Sequence, residues 1–297
     1  MKKIKFLLVS LVAAVLVGCG TTKTVPITGR QQSLMVSDGE VLSLSTQQYQ
    51  EFMKTAKLST NATNTAMVKR VGEKLAAAVT NYMRSAGLSE DLQYYNWQFN
   101  LVQNNQVNAW CMPGGLICVY EGLLPVTQDE ASLAIVLGHE IAHAVARHSA
   151  EQMSTQMKQQ YGLQIGTAIA GAVGVGATAQ SIGQWALSQQ FNFKNLKYSR
   201  SHESEADHLG LIFAAMAGYD PQVAVPFWQR MAAKNGNSQQ NDLYSDHPSD
   251  ATRIKQIQEW MPEALRYYTP PTTTTTTTKK ATTTKKTTTK KTTTKKK

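Results

Sequence analysis

Apolar residues follow helical or strand spacing over much of the chain. Beginning at Val68, they recur at Val71, Leu75 and Val79, three or four residues apart, which predicts one face of an amphipathic helix. Within 94–102, aromatic and apolar residues alternate with Asn and Gln. That alternation predicts a strand with one buried face.

Two more strands are expected at 107–111 and 116–120, on either side of a Pro-Gly-Gly sequence. If the two glycines form a two-residue hairpin turn, Cys111 lies opposite Cys118. Directly opposed residues are about 4.5–5.5 Å apart, which is within disulfide range. We therefore expect a disulfide between these two cysteines, with two buried thiols as the alternative.

The later part of the chain has helix signals. Thr127 and Glu130 have the spacing of a capping box, which predicts the start of a long helix running to about Arg147. Further helices are expected from Ser201 to Ala217 and between Pro248 and Pro262. The predicted class is therefore α+β, mainly helical, with a small β-sheet.

The first residues have the pattern of an export signal, with three lysines followed by a short apolar run. Leu-Val-Gly before Cys19 resembles the bacterial lipobox, in which the signal is cut before the cysteine and the cysteine is acylated. We expect residues 1–18 to be a lipoprotein signal peptide, Cys19 to be the lipidation site and residues 19–45 to form a tether. The alternative is an ordinary signal peptide with an incidental cysteine.

Residues 159–193 carry no charged side chain and are rich in Ala and Gly. They are long enough to span a bilayer, but their content of bulky apolar residues is low. Tightly packed helices, or a mobile flap over a site, are therefore favoured over a membrane span.

The net charge of +10 comes from the two ends of the chain. Setting aside 3 lysines of the leader and 9 of the tail leaves 18 of the 30 basic residues, against 20 acidic ones. The central body is near neutral, so we expect no nucleic-acid partner. Residues 269–297, almost entirely Thr and Lys, predict a disordered tail. It is either held near anionic lipid or cell-wall polymer, or solvated without a specific partner.

Candidate chemistry begins with His139-Glu140-Ile-Ala-His143, an HExxH sequence within the predicted long helix. Histidines four residues apart lie one turn apart on one face, so both imidazoles can bind a single metal ion. Zn²⁺ suits imidazole and carboxylate ligands and lowers the pKa of bound water to about 7. Glu140 borders the same face and is the candidate general base. Two surface histidines are the alternative, but the apolar run Leu133–Leu137 beside them opposes surface placement.

A catalytic zinc needs a third protein ligand and an open position for water. The later helix offers a dense group of candidates. Glu203 and Asp207 are four residues apart and share a face, whereas Glu205 lies about 200° from Glu203 around the helix. Spacing alone leaves the third ligand open among Glu203, Glu205, His202, Asp207 and His208.

HExxH followed by Glu203-Ser-Glu-Ala-Asp207 resembles the HtpX-like zinc metallopeptidases, and most closely the soluble, envelope-located LoiP and BepA type. The likeness covers about residues 46–262. It includes Asn108-Ala109-Trp110, Pro113-Gly114-Gly115, Ser199-Arg200, Asp246-His247-Pro248 and Arg253. After this region the chain has the Thr/Lys tail, whereas the BepA type has helical repeats. The resemblance therefore does not imply that this chain binds partners through such repeats.

The resemblance implies a zincin-like metallopeptidase domain at residues 46–268, with its small sheet at the edge of the active site. It implies that Glu203 is the third zinc ligand and that Asp207 orients a histidine. It also implies that the strand near Asn108 and Ala109 holds an extended substrate by β-augmentation.

Two residues near the end of the likeness are also site candidates. His247 matches a histidine that lies near the metal in periplasmic relatives, where it would fill the open position at rest or stabilise the oxyanion. A helix-capping surface histidine is the alternative. Arg253 is expected to steady this segment or an acidic neighbour.

The sequence thus predicts a lipid-anchored endopeptidase with one zinc per chain, in the bacterial envelope and on the periplasmic side of the outer membrane. Unfolded or misassembled envelope proteins are the substrates that the resemblance implies. Three alternatives stay open: a non-catalytic zinc-containing assembly factor of the outer membrane, a multi-pass membrane peptidase, and a structural lipoprotein that binds cell wall through its tail.

Overall fold

The computed structural model describes residues 21–171, 185–186, 188–235 and 251–270. The predictions for the signal peptide, for Cys19 and for His247 lie outside these residues. So do those for the tail from residue 271 onward and for 172–184 of the uncharged stretch.

Helices dominate the described chain, and two small sheets accompany them, so the prediction of a mainly helical α+β class is confirmed. The strands are β1 (Thr21–Thr24), β2 (Gln31–Leu34), β3 (Gln98–Val102), β4 (Ala109–Met112) and β5 (Leu116–Tyr120). The α-helices are α1 (Asp38–Thr55), α2 (Ala62–Ser85), α3 (Leu124–Thr127), α4 (Glu130–Val145), α5 (His148–Gly171), α6 (Arg200–Met216), α7 (Ala224–Asn235) and α8 (Ala251–Ala264).

Helix α4, which carries HExxH, runs through the middle of the core. Its residues Leu133 to Leu137 are all buried, and it packs against α2, α6 and β4. Asp129 caps its first turn by accepting a hydrogen bond from the Ser132 amide at 2.7 Å. The predicted capping box starting at Thr127 is wrong, because Thr127 ends the short helix α3.

Helices α4 and α6 touch through their backbones. A Cβ atom on Gly138 would lie 2.6 Å from the carbonyl oxygen of Gly210, and one on Gly210 would lie 2.6 Å from the backbone nitrogen of His139. Only glycine at both positions allows so close a crossing. The crossing holds the histidine-bearing turns of α4 against the acidic first turns of α6.

The three-stranded sheet has the order β3-β5-β4, with β5 parallel to β3 and antiparallel to β4. Met112 pairs with Leu116, so the loop has three residues, and Gly114 and Gly115 both have positive φ. Cys111 therefore pairs with Ile117, not with Cys118.

The predicted disulfide is wrong for this reason. Because neighbouring residues of a strand point to opposite faces, the one-residue difference in register places Cys111 and Cys118 on opposite faces of the sheet. Both are buried free cysteines, and Cys111 and Cys118 belong to two different hydrophobic clusters.

The prediction of a tether over 19–45 also needs correction. From residue 21 onward this segment is folded: β1 and β2 form an antiparallel hairpin, and α1 begins at Asp38. Val25 and Leu34 are buried in the core. Ser37 and Glu40 form a capping box at the start of α1. Polar contacts to residues far away in the sequence hold the hairpin in place. Such contacts leave no pattern in the local sequence from which the hairpin could be predicted.

The uncharged stretch begins within α5. Among the described residues, no helix combines the length and the apolarity that crossing a bilayer requires.

Candidate functional site

Three side chains from two helices converge where α4 meets α6. The Nε2 atoms of His139 and His143 are 3.0 Å apart. Glu203 places one carboxylate oxygen 3.4 Å from the Nε2 of His139 and the other 3.5 Å from that of His143. All three side chains are buried, and their potential ligand atoms lie within 4.8 Å of one another.

These distances fit a metal ion. In a tetrahedral zinc site with bonds of about 2.0–2.1 Å, the ligand atoms are about 3.3–3.4 Å apart. The distances between the two imidazole nitrogens and the carboxylate oxygens of Glu203 are close to that spacing. The site thus has the donor set and the separations that a zinc ion needs, and the described residues supply three protein ligands.

Glu140 lies on the same helix and is buried. Burial raises the pKa of the Cys111 thiol on β4, and the negative charge of Glu140 raises it further. Burial also raises the pKa of Tyr198, to which the charges of Glu140, Cys111 and Glu203 add. Helix α4, which carries Glu140, packs against β4.

The second ring nitrogen of His139, Nδ1, points away from the other two ligands and faces α6. It is 2.8 Å from a carboxylate oxygen of Asp207, which Arg253 on α8 also contacts. The Arg253 guanidinium in turn lies 3.5 Å from the ring centre of Trp228. Burial lowers the pKa of His139, but the hydrogen bonds and charges of Asp207 and Glu203 outweigh it and raise the pKa to about 9. An environment that favours a proton on this imidazole also favours a cation there.

The outer nitrogen of His143 faces another histidine. Its Nδ1 is 2.9 Å from the Nδ1 of His148, whose Nε2 is 2.9 Å from a carboxylate oxygen of Glu205. Tyr198 stacks on the ring of His143, with the ring centres 4.0 Å apart. His148 and Tyr198 were not predicted to belong to the site, although the sequence places His148 only five residues after His143.

Glu205 connects the site to the N-terminal hairpin. Thr28 donates a hydrogen bond to one of its oxygens at 2.6 Å, and Arg30 donates to the other at 2.9 Å. Burial raises the pKa of Glu205, but the hydrogen bonds from His148, Arg30 and Thr28 outweigh it and lower the pKa to about 2. The same hydrogen bonds keep Glu205 ionised.

The predicted substrate strand lies at an edge of the sheet. Within the described chain β4 pairs only with β5, and helix α4 packs against it. Asn108 is buried just before the strand, where its carbonyl oxygen accepts a hydrogen bond from the Tyr120 amide. Ala109 is buried as well, so any added strand would contact the backbone rather than these side chains.

The remaining histidines differ in their positions. His202 stacks on His148 and lies 3.2 Å from Glu151, so it borders the site without facing the point of convergence. His208 pairs with Glu263 and stacks on Trp260, away from the site.

Comparison with known proteins gives matches over most of the chain. Residues 62–261 match the model of peptidase family M48. The mitochondrial metalloendopeptidase OMA1 of Schizosaccharomyces pombe is 32% identical over 245 residues, which are 81% of this chain and 66% of that protein. Human metalloendopeptidase OMA1 is 30% identical over 246 residues, which are 81% of this chain and 46% of that protein.

A bacterial relative matches over nearly its whole length. Metalloprotease LoiP of Escherichia coli is 28% identical over 266 residues, which are 87% of this chain and 97% of LoiP. In contrast, the chain spans only about half to two thirds of the length of the two OMA1 proteins.

Proposed function

The chain belongs to peptidase family M48, and from this premise we propose that it is a zinc-dependent endopeptidase. The observation that supports the proposal most is the convergence of His139, His143 and Glu203 at the spacing of tetrahedral zinc ligands. The sequence predicts the same three ligands, from the HExxH sequence and from the resemblance of Glu203-Ser-Glu-Ala-Asp207 to the HtpX-like enzymes. The zincin-like metallopeptidase domain of the family agrees with the observed helical fold.

In this proposal the Nε2 atoms of the two histidines and the carboxylate of Glu203 hold one Zn²⁺. When bound, the ion supplies a Lewis acid and lowers the pKa of a coordinated water to about 7. Asp207 accepts a hydrogen bond from the Nδ1–H of His139 and so keeps the Nε2 lone pair directed at the ion. Arg253 holds Asp207 in place through its contact with the same oxygen.

Glu140 carries the proton. It takes one proton from the attacking water and delivers it to the leaving amine of the peptide, a role that contributes about 10²–10⁴-fold in rate. Glu140 is buried, and its helix α4 packs against β4, the strand that the substrate is proposed to join. An extended substrate would add to β4, the edge strand of the described sheet, through its backbone. His247 stays a prediction, as a fourth ligand at rest or an oxyanion-stabilising group.

The proposed setting is the bacterial cell envelope. The lipobox-like sequence before Cys19 supports acylation there, and Gly20 and Thr21, rather than Asp, after the cysteine favour the outer membrane, facing the periplasm. Unfolded or misassembled envelope proteins are the proposed substrates, since an extended chain is what the edge strand would accept. The nine tail lysines would add attraction to anionic lipid or cell wall.

The variant Glu140→Gln tests the mechanism. It keeps the size and shape of the side chain but removes the group that can take up a proton, so zinc binding should persist while casein degradation falls by at least about 10²-fold. Glu130→Gln is the matched control, because Glu130 lies on the same helix and pairs with Arg70 on the surface.

A Glu140→Gln protein that cleaves casein at the parent rate would contradict the proposed mechanism. A parent protein that binds zinc but degrades no unfolded protein would favour the assembly-factor alternative.

The variant Cys19→Ala tests the anchor. Acylation requires the cysteine, so the variant should leave the membrane fraction in carbonate extraction, whereas the parent should stay with the membranes. Cys118→Ala controls for the loss of a cysteine elsewhere. Membrane association that persists in Cys19→Ala would count against the lipid anchor.

A further inference from the structure

The two histidine ligands of the proposed zinc site have different support. The Nδ1 of His139 contacts the carboxylate of Asp207, whereas the Nδ1 of His143 contacts a second imidazole, that of His148. The chain of contacts runs from His143 to His148 and then to Glu205, and each contact is 2.9 Å long. All three side chains are buried.

The positions of the protons follow from the metal. If the Nε2 of His143 binds zinc, its Nδ1 carries the proton and donates it to the Nδ1 of His148. The proton of His148 is then on Nε2, where it donates to the carboxylate of Glu205. In this series of hydrogen bonds, each nitrogen and oxygen can then act in only one way, as the donor or as the acceptor. The orientation of the His143 ring thus depends on where Glu205 is held.

Glu205 is held by the N-terminal hairpin. Arg30, the last residue of the loop between β1 and β2, binds the oxygen that His148 also contacts, and Thr28 binds the other oxygen. The remaining nitrogens of Arg30 form a two-pronged ion pair with Glu151, at 2.8 Å for each contact. Arg30 therefore fixes two carboxylates, Glu205 from α6 and Glu151 from α5.

This support lies outside the part of the chain that matches the family model. The match covers residues 62–261, whereas Thr28 and Arg30 precede it by more than thirty residues. The hairpin is nevertheless packed on the domain, because Val25 is buried in the main core and Gln32 is hydrogen-bonded to the backbone oxygen of Ala146.

We propose that Arg30 is a positioning residue for the metal centre: through Glu205 and His148 it fixes the ring of His143 so that its Nε2 faces the zinc ion. The inference depends on the proposed function, since it assigns a role toward the same zinc. It adds that the hairpin at residues 21–34 forms part of the support of the metal centre.

The test is zinc affinity in the full mature protein, measured by competition with a chromophoric chelator. Arg30→Ala should weaken zinc binding roughly tenfold, at the lower end of the effect of losing an outer partner of a ligand. Arg30→Lys should restore part of the affinity, because it keeps the positive charge but not the two-pronged geometry. The visible spectrum of the Co²⁺-loaded protein should change in Arg30→Ala, which loss of stability alone does not cause.

Arg70→Ala is the matched control. It removes an ion pair with Glu130 at the start of the HExxH helix, far from the metal ligands along α4, and should leave zinc affinity and the Co²⁺ spectrum unchanged. If Arg30→Ala does not fold, Thr28→Val replaces it. Thr28→Val removes one hydrogen bond to Glu205 with little change of shape, and should weaken zinc binding about threefold.

The outcomes separate the two proposals. A parent that binds no zinc overturns the proposed function and this inference with it. The inference alone is overturned if the parent binds zinc but Arg30→Ala and Thr28→Val both bind it within twofold of the parent's affinity and have the parent's Co²⁺ spectrum.

Discussion

At the scale of single residues, three acidic side chains of α6 have separate tasks at one site. Glu203 faces the two histidines of the HExxH sequence, Asp207 contacts the outer nitrogen of His139, and Glu205 contacts His148. Glu203 and Asp207 share a face because they are one turn apart. Glu205 points in another direction and takes part only because His148 lies between it and His143.

This difference explains what the sequence could predict about the site. His139, Glu140 and His143 follow from spacing within one helix, and the resemblance added Glu203 and Asp207. His148 could not be placed in this way, because its contact with His143 depends on a break in the helix. Arg147 has φ of 54°, which ends α4 and turns the chain so that α5 begins at His148.

Contacts between residues far apart in the sequence could not be predicted either. Arg30 and Glu205 are 175 residues apart, and no local period relates them. A lone arginine in a segment expected to be a tether looks like an ordinary surface residue in the sequence. Its role emerges only when the hairpin is seen packed against the segment that follows the HExxH helix.

At the scale of secondary-structure elements, the site depends on how closely α4 approaches α6. The two glycines at the crossing remove the side chains that would separate the helices, and one of them immediately precedes His139. The positions of the ligands are therefore set by the backbone contact between two helices as well as by side-chain packing.

The variant Gly210→Ala tests this dependence. Its Cβ would lie 2.6 Å from the His139 backbone nitrogen, where no flexible side chain can move away. Overpacking of this kind typically costs about 1–3 kcal/mol in the free energy of unfolding. Zinc affinity should fall as well, because the ligands of α4 and α6 move apart. Thermal unfolding and chelator competition measure the two effects.

Gly39→Ala is the control, since a Cβ at Gly39 in α1 meets no atom within 4 Å and alanine favours a helix. A Gly210→Ala protein as stable as the parent and with the same zinc affinity would mean that the crossing does not set the site.

The strands show where element-level prediction fails. All three strands of the sheet were located from alternation and turn residues, yet the pairing of β4 with β5 was wrong by one residue. Register depends on the length of the loop, and Pro113-Gly114-Gly115 uses three residues where two were expected. That single residue separates the two cysteines and removes the disulfide.

At the scale of the whole molecule, the folded body begins earlier than the sequence indicated. Strand β1 starts at Thr21, only two residues after Cys19, and an extended chain of two residues spans about 7 Å. If Cys19 is acylated as proposed, the hairpin that supports the metal centre lies close to the membrane surface. A compact N-terminal hairpin was missed because its stability comes from contacts with α4, α5 and α6 rather than from its own composition.

The central claim is that one zinc ion is held by His139, His143 and Glu203. Elemental analysis of the full mature protein, purified without chelator and shown by thermal unfolding to be folded, measures it most directly. The account predicts one zinc per chain, removed by a strong chelator and restored by added Zn²⁺. A folded protein that holds no zinc and takes up none when it is added would contradict the account.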